Sequence, residues 1–130
     1  MLTCTSSNNL IVFAMGNEIR TYDRKAKQES VFIKYSGNTK SCKDEISQIE
    51  ISEDDETLFV LLHSAKKIIA YSLQTTQKVL ELILKEGKDN PDRCVHLQNK
   101  NYVSYWGRNF NEIYHINSGK VIFKQNTGKL

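Results

Sequence analysis

Three histidines, three cysteines and one run of carboxylates are the residues of this 130-residue chain whose types could support chemistry. His63, His96 and His115 are candidate general bases or metal ligands, yet each lies in or beside an apolar run and none has a nucleophile at a matched spacing. Such positions predict hydrogen-bonded structural imidazoles. Cys4, Cys42 and Cys94 are odd in number, widely spaced and without a CxxC pair, so they form no metal-ligand pattern. Free thiols suit a reducing compartment, nucleus or cytoplasm. The consecutive carboxylates Glu53-Asp54-Asp55-Glu56 could draw a cation, but a calcium loop needs alternating oxygen ligands and a glycine at its bend. Neither is present, and the run predicts an acidic turn. With no GxxxxGK and no GxGxxG after a strand, the expectation is of no catalytic, cofactor-binding or metal-binding residue and no cofactor.

The elements that would position these residues are short strands. Between Ile46 and Leu84 the chain reads ISQIEIS, TLFVLLH, KIIAYS and KVLELIL, four β-branched or aromatic-rich runs. They are separated by the polar stretches Ser52–Glu56, Ser64–Lys66 and Gln74–Gln77. Four short strands joined by tight turns make one antiparallel sheet, the size of a propeller blade. The unit repeats. Upstream lie LIVFAM (Leu10–Met15), EIRTYD (Glu18–Asp23) and ESVFI (Glu29–Ile33); downstream lie Cys94–Leu97, YVSYW (Tyr102–Trp106), EIYHIN (Glu112–Asn117) and KVIFK (Lys120–Lys124).

Aligning the units places Tyr22, Tyr71 and Tyr114 at one position, with intervals of 49 and 43 residues. The linker Lys34–Lys43 absorbs the longer interval, and Lys85–Asp92 separates the last two units. The fold predicted is all-β, a partial β-propeller of about three four-stranded antiparallel blades over residues 1–43, 44–88 and 89–130. Leu10–Met15 is apolar throughout, which predicts a strand buried on both faces. Met1–Asn9 is polar and small, a frayed end or an outer strand.

At 15.0 kDa the chain is long enough for one domain but short of the four or more blades that close a propeller. The expectation is therefore of an amino-terminal part of a longer protein, with an uncovered sheet at each end. Its 18 basic and 15 acidic residues give a net charge of +3, too mild to announce a nucleic-acid binder. The basic residues are scattered and most sit in the turns between strands, as solvated loop residues or as a basic rim touching RNA. No apolar run approaches the roughly 20 residues of a membrane span, so a soluble chain is expected.

The turn Asn117-Ser118-Gly119-Lys120 resembles the Glu-Thr-Gly-Lys turn of WD repeats, and Tyr114 stands where such repeats usually carry Trp. Tyr22-Asp23 approximates the Trp-Asp pair, whereas Ser72 and His115 replace the Asp in the other units and no Gly-His pair precedes a blade. The chain thus resembles a degenerate WD-repeat propeller along its whole length. Within that class SEDDETLFVLLHSAKKIIAYSL, the loop ending in Arg93-Cys94, and NFNEIYHI resemble early blades of the non-catalytic WD-repeat subunit of tRNA (guanine-N(7)) methyltransferase. The family's Lys-x-Gly-Asp-Val-Tyr-Ser segment is matched here by Asn109, Asn111, Glu112, Ile113, Tyr114 and His115, of which the Tyr is identical, and Arg108 replaces a preceding Asp. Gly128-Lys129-Leu130 resembles the start of its Gly-His-Leu/Val-Ser stretch.

That resemblance implies a non-catalytic scaffold that orders a separate methyltransferase subunit acting on tRNA, with the partner-contact residues lying beyond Leu130. The alternatives are a generic WD-repeat interaction module, for instance in ribosome biogenesis, and an enzyme in its own right, for which no site is visible.

Overall fold

In the computed structural model the described residues are 2–5, 8–35, 46–62, 67–84, 94–97, 101–107 and 110–126. They form three antiparallel four-stranded sheets in chain order. Sheet 1 holds β1 (Leu2–Cys4), β2 (Leu10–Met15), β3 (Glu18–Asp23) and β4 (Gln28–Lys34). Sheet 2 holds β5 (Ile46–Ile51), β6 (Thr57–Leu62), β7 (Lys67–Ser72) and β8 (Lys78–Ile83), and sheet 3 holds β9 (Cys94–Leu97), β10 (Tyr102–Gly107), β11 (Phe110–His115) and β12 (Val121–Asn126). In each sheet the strands lie in sequence order, every one beside its predecessor.

The period of two decides the packing. In β6 the residues Leu58, Val60 and Leu62 point to one side and join Ile69 and Tyr71 of β7 in a core shared with Val12 and Ile19 of sheet 1. Phe59 and Leu61 point to the other side, joining Ile68 and Ala70 in a core shared with Leu97, Val103, Tyr105 and Tyr114 of sheet 3. Sheet 2 is sandwiched, so Leu58 through Leu62 are all buried. Burial of each such side chain stabilises by about 1.5–3 kcal/mol relative to exposure.

Among the described residues, sheets 1 and 3 have a neighbouring sheet on one side each. This corrects the expectation for Leu10–Met15: only Val12 of β2 is fully buried, and Met15 is exposed. The apolar run has two apolar faces, but sheet 1 has a neighbour on one of them. The amino-terminal stretch also differs from an outer strand. Leu2–Cys4 pairs with β2 and lies against β5, on the side where the first strands of successive sheets meet, while most of β4 and, on β8, Lys78, Val79, Glu81 and Ile83 are exposed.

Tyr22, Tyr71 and Tyr114 do occupy one position. Each pairs with the second residue of the second strand of its sheet, namely Ile11, Leu58 and Val103. The third strand of the last unit runs Phe110–His115 rather than Glu112–Asn117, because Gly119 N donates to His115 O at 2.8 Å and turns the chain there. The expected turn Ser64–Lys66, the loop Lys85–Asp92, most of the linker Lys34–Lys43, Gly128–Leu130, Arg93, Arg108, Asn109, His63 and Cys42 lie outside the described residues.

Candidate functional site: turns and an interblade cleft

At the end of the stack where strands one and two and strands three and four turn back, sheets 2 and 3 part to leave a cleft of about 600 Å³. Its floor is Phe59, Ala70 and Leu80 of sheet 2, and its rim is Ser52, Glu53 and Asp54 on one side with Asn101 and Asn117 on the other. An apolar floor under polar, partly acidic walls is the composition of a site for an amphipathic side chain or short segment.

The rim is rigid. Ser52 Oγ donates to Asp54 Oδ1 at 2.6 Å, Glu56 N donates to the same oxygen at 3.1 Å, and Thr57 N donates to Ser52 Oγ at 3.0 Å. Asp55 takes φ 61° at the apex, a conformation Asp tolerates better than most residues. The Asp54 carboxylate is thus spent on the turn, in agreement with its expected structural role. Among the described residues no group of three or more His, Cys, Asp or Glu is placed to hold a metal ion.

A second set of turns is held by the residue that follows each repeat tyrosine. Asp23 Oδ1 accepts from Lys25 N and Ala26 N at 3.0 and 3.1 Å, Ser72 Oγ accepts from Thr75 N at 3.2 Å, and His115 Nδ1 accepts from Ser118 N at 3.3 Å. Asp, Ser and His perform one task at one position, so the turn cap is kept although the residue differs in each unit. Five residues after each tyrosine the chain adopts positive φ, at Lys27 (55°), Thr76 (63°) and Gly119 (71°). Only the third has the residue type that this conformation favours.

His115 is therefore hydrogen-bonded, as expected of a structural histidine, and also lies 5.7 Å from the Tyr102 ring between centroids. His96, by contrast, is exposed on β9, because it projects from sheet 3 away from sheet 2. Cys4 is a free and exposed thiol.

The resolved shifts in acidity all reinforce the form already present at neutral pH. Burial, with the Glu112 carboxylate accepting from its hydroxyl at 3.1 Å, pushes the Tyr114 phenol up to about 12. Burial raises Tyr71, whose hydroxyl lies 2.7 Å from that of Tyr35 across the sheet 1–sheet 2 boundary. A hydrogen bond from Lys78 lowers Glu81, and bonds to Glu18 and Glu29 raise Arg20. An acid–base catalyst needs the opposite, a group brought toward the working pH.

One cross-sheet bond escaped sequence reasoning. Gln48 Oε1 on β5 accepts from Leu97 N on β9 at 2.7 Å, tying the first strands of sheets 2 and 3 together. A glutamine inside ISQIEIS carries no sign of this, since its partner lies 49 residues away.

No family model and no curated protein matches the chain. Solved structures do. A chain of a mitotic checkpoint complex superposes with a TM-score of 0.66 at 12% identity, over 99% of this chain and 36% of that one. U3-55K superposes at 0.65 and 13% identity, over 96% of this chain and 38% of its own. The WD40 repeats of RRP9 superpose at 0.64 and 12% identity, over 96% and 37%. At these identities the likeness is one of fold: three blades of WD40-propeller type. The chain spans little more than a third of the length of the structures it matches.

Proposed function

We propose that this chain is a non-catalytic interaction module, a stack of propeller blades that holds partner proteins by its turns and clefts. The observation that carries this is the cleft between sheets 2 and 3, an apolar floor framed by turns locked through side-chain caps. Rigid turns on a rigid sheet lose little conformational entropy when a partner docks. Structural neighbours drawn from a checkpoint complex, U3-55K and RRP9 support a general interaction role, because one of them is itself found in a multiprotein assembly.

A more specific form of the same proposal is a scaffold for a tRNA 7-methylguanosine methyltransferase. Its support is the residue resemblance of SEDDETLFVLLHSAKKIIAYSL and NFNEIYHI. The partner would then be the methyltransferase catalytic subunit, with tRNA reached through the complex and S-adenosylmethionine held by that subunit. Both forms predict no methyl transfer by the chain alone.

The test is affinity capture of the full-length protein, mass spectrometry of what is retained, and a tRNA methylation assay on the eluate. Recovery of a methyltransferase together with 7-methylguanosine formation selects the specific form. Recovery of other assembly factors without methylation selects the general one. Methyl transfer by the purified chain overturns both.

A further inference from the structure

The turns between the third and fourth strands of the three sheets do one job with three residue types, and the three types respond differently to acid. Asp23 Oδ1, Ser72 Oγ and His115 Nδ1 each accept from the backbone N–H three residues on, that of Ala26, Thr75 and Ser118, at 3.1, 3.2 and 3.3 Å. A serine hydroxyl accepts at every pH, and a carboxyl keeps an acceptor oxygen even when protonated. An imidazole nitrogen accepts only while it carries no proton. Because a backbone N–H can only donate, Nδ1 of His115 is the bare nitrogen and the ring proton sits on Nε2. The Ser118 hydroxyl, 3.0 Å from Nδ1, is then a second donor to it, while its oxygen accepts from Lys120 N at 3.2 Å.

We infer that the turn between β11 and β12 is a pH-sensitive latch: protonation of His115 releases the Ser118 N–H and loosens residues 115–120, while the corresponding turns of sheets 1 and 2 stay closed. In the protonated ring Nδ1 carries a hydrogen. It can keep Ser118 Oγ, now as the acceptor, but it can no longer accept from Ser118 N. Asn117 of this turn stands on the rim of the cleft between sheets 2 and 3, so acid would loosen one wall of that cleft. A weaker hold on a docked partner rests on the cleft being a docking site, as proposed above; the release of the turn does not.

Among the described residues, few ionisable groups surround the imidazole. On β10 its cross-strand partner is Tyr102, and on the β12 side the charged neighbour is Lys120, whose carbonyl accepts from His115 N at 2.8 Å. Sheet 2 meets the turn through Leu82, whereas Lys78 and Glu81 of β8 align with Tyr71 and Ile69, on the side turned toward sheet 1. Glu112 and its cross-strand partner Lys124 share the face of Tyr114, opposite to that of His115. Glu53 and Asp54 lie across the cleft from Asn117. None of these carboxylates stands on the imidazole's face of sheet 3 to hold a protonated ring in place of the lost bond.

Hydrogen exchange of the full-length protein, read by mass spectrometry at about pH 7.5 and about pH 5.5 and corrected for intrinsic exchange rates, reports on all three turns at once. Protection over residues 115–120 should fall about fivefold more than over residues 23–28 and 72–77, the scale of one lost hydrogen bond. His115→Ser and His115→Asp, which bring in the acceptors of the other two turns, should each remove that difference, and His96→Gln should leave it. If one His115 variant misfolds, the other carries the comparison. Equal falls in all three turns, or an excess fall over residues 115–120 that persists in a folded His115 variant, would overturn the latch. The measurement requires no partner, so a failed latch leaves the docking function standing, and failed partner capture leaves the latch.

Discussion

At the residue scale, the position five beyond each repeat tyrosine has one backbone conformation and three residue types. A β-branched side chain in the left-handed region costs about 1–2 kcal/mol, and a glycine there gives back about 0.5–1 of that through the freer unfolded chain. Thr76, at φ 63°, is therefore the weakest of the three turns, and Thr76→Gly should stabilise by roughly 0.5–1 kcal/mol, read as a melting temperature a few degrees higher. Gly119→Ala should destabilise by about 1 kcal/mol, since φ is 71° and the added Cβ meets Leu82 Cδ1 at 3.4 Å.

Tyr114 makes a second prediction at this scale. Its folded pKa of about 12 lies above the ordinary value of 10.0, so the native state keeps a proton that the unfolded chain releases first. Stability from this group is complete below about pH 10 and is lost as pH rises toward 12. Equilibrium unfolding from pH 8 to 11.5 should therefore show a fall above pH 10 that is shallower in Tyr114→Phe. A wild-type profile matching that of the variant would refute the assignment.

At the scale of elements, the boundary between sheets 2 and 3 combines an apolar contact with a part-buried hydrogen bond. Leu61 has no exposed surface and packs in the core between these sheets, so Leu61→Ala should cost about 2–5 kcal/mol through lost burial and the cavity left behind. Against a typical total of about 5–15 kcal/mol that is a large share, read as a lower denaturant midpoint. Gln48→Leu keeps the bulk but strands the Leu97 N–H, an expected loss of about 1–3 kcal/mol by denaturant titration. Gln48→Glu, which retains an acceptor, should lose less. Substitution of an exposed β8 residue, such as Val79→Thr, should change stability by under about 0.5 kcal/mol.

At the scale of the whole molecule, strands, their order within each sheet and the place of the repeat tyrosine are set by signals that the sequence carries locally. Alternation in KIIAYS, turn residues at Gln74–Gln77 and the recurrence of Tyr22, Tyr71 and Tyr114 act over a few residues each, and the sheets follow them. The all-β character and three-blade architecture were legible for that reason. What needed the tertiary structure are the properties that depend on how many sheets stand beside a given one. LIVFAM and TLFVLL read alike as apolar runs, yet β6 is buried from Leu58 to Leu62 while β2 buries only Val12 fully, because among the described residues sheet 2 has two neighbouring sheets and sheet 1 has one. The roles of Ser72 and His115 were hidden for a related reason: a turn cap needs an acceptor atom within reach of a backbone N–H, not a particular residue, and reach is a matter of geometry. The cleft over Phe59 and the Gln48–Leu97 bond join segments from different sheets, and only packing of the sheets, driven by burial of both faces of sheet 2, brings them together.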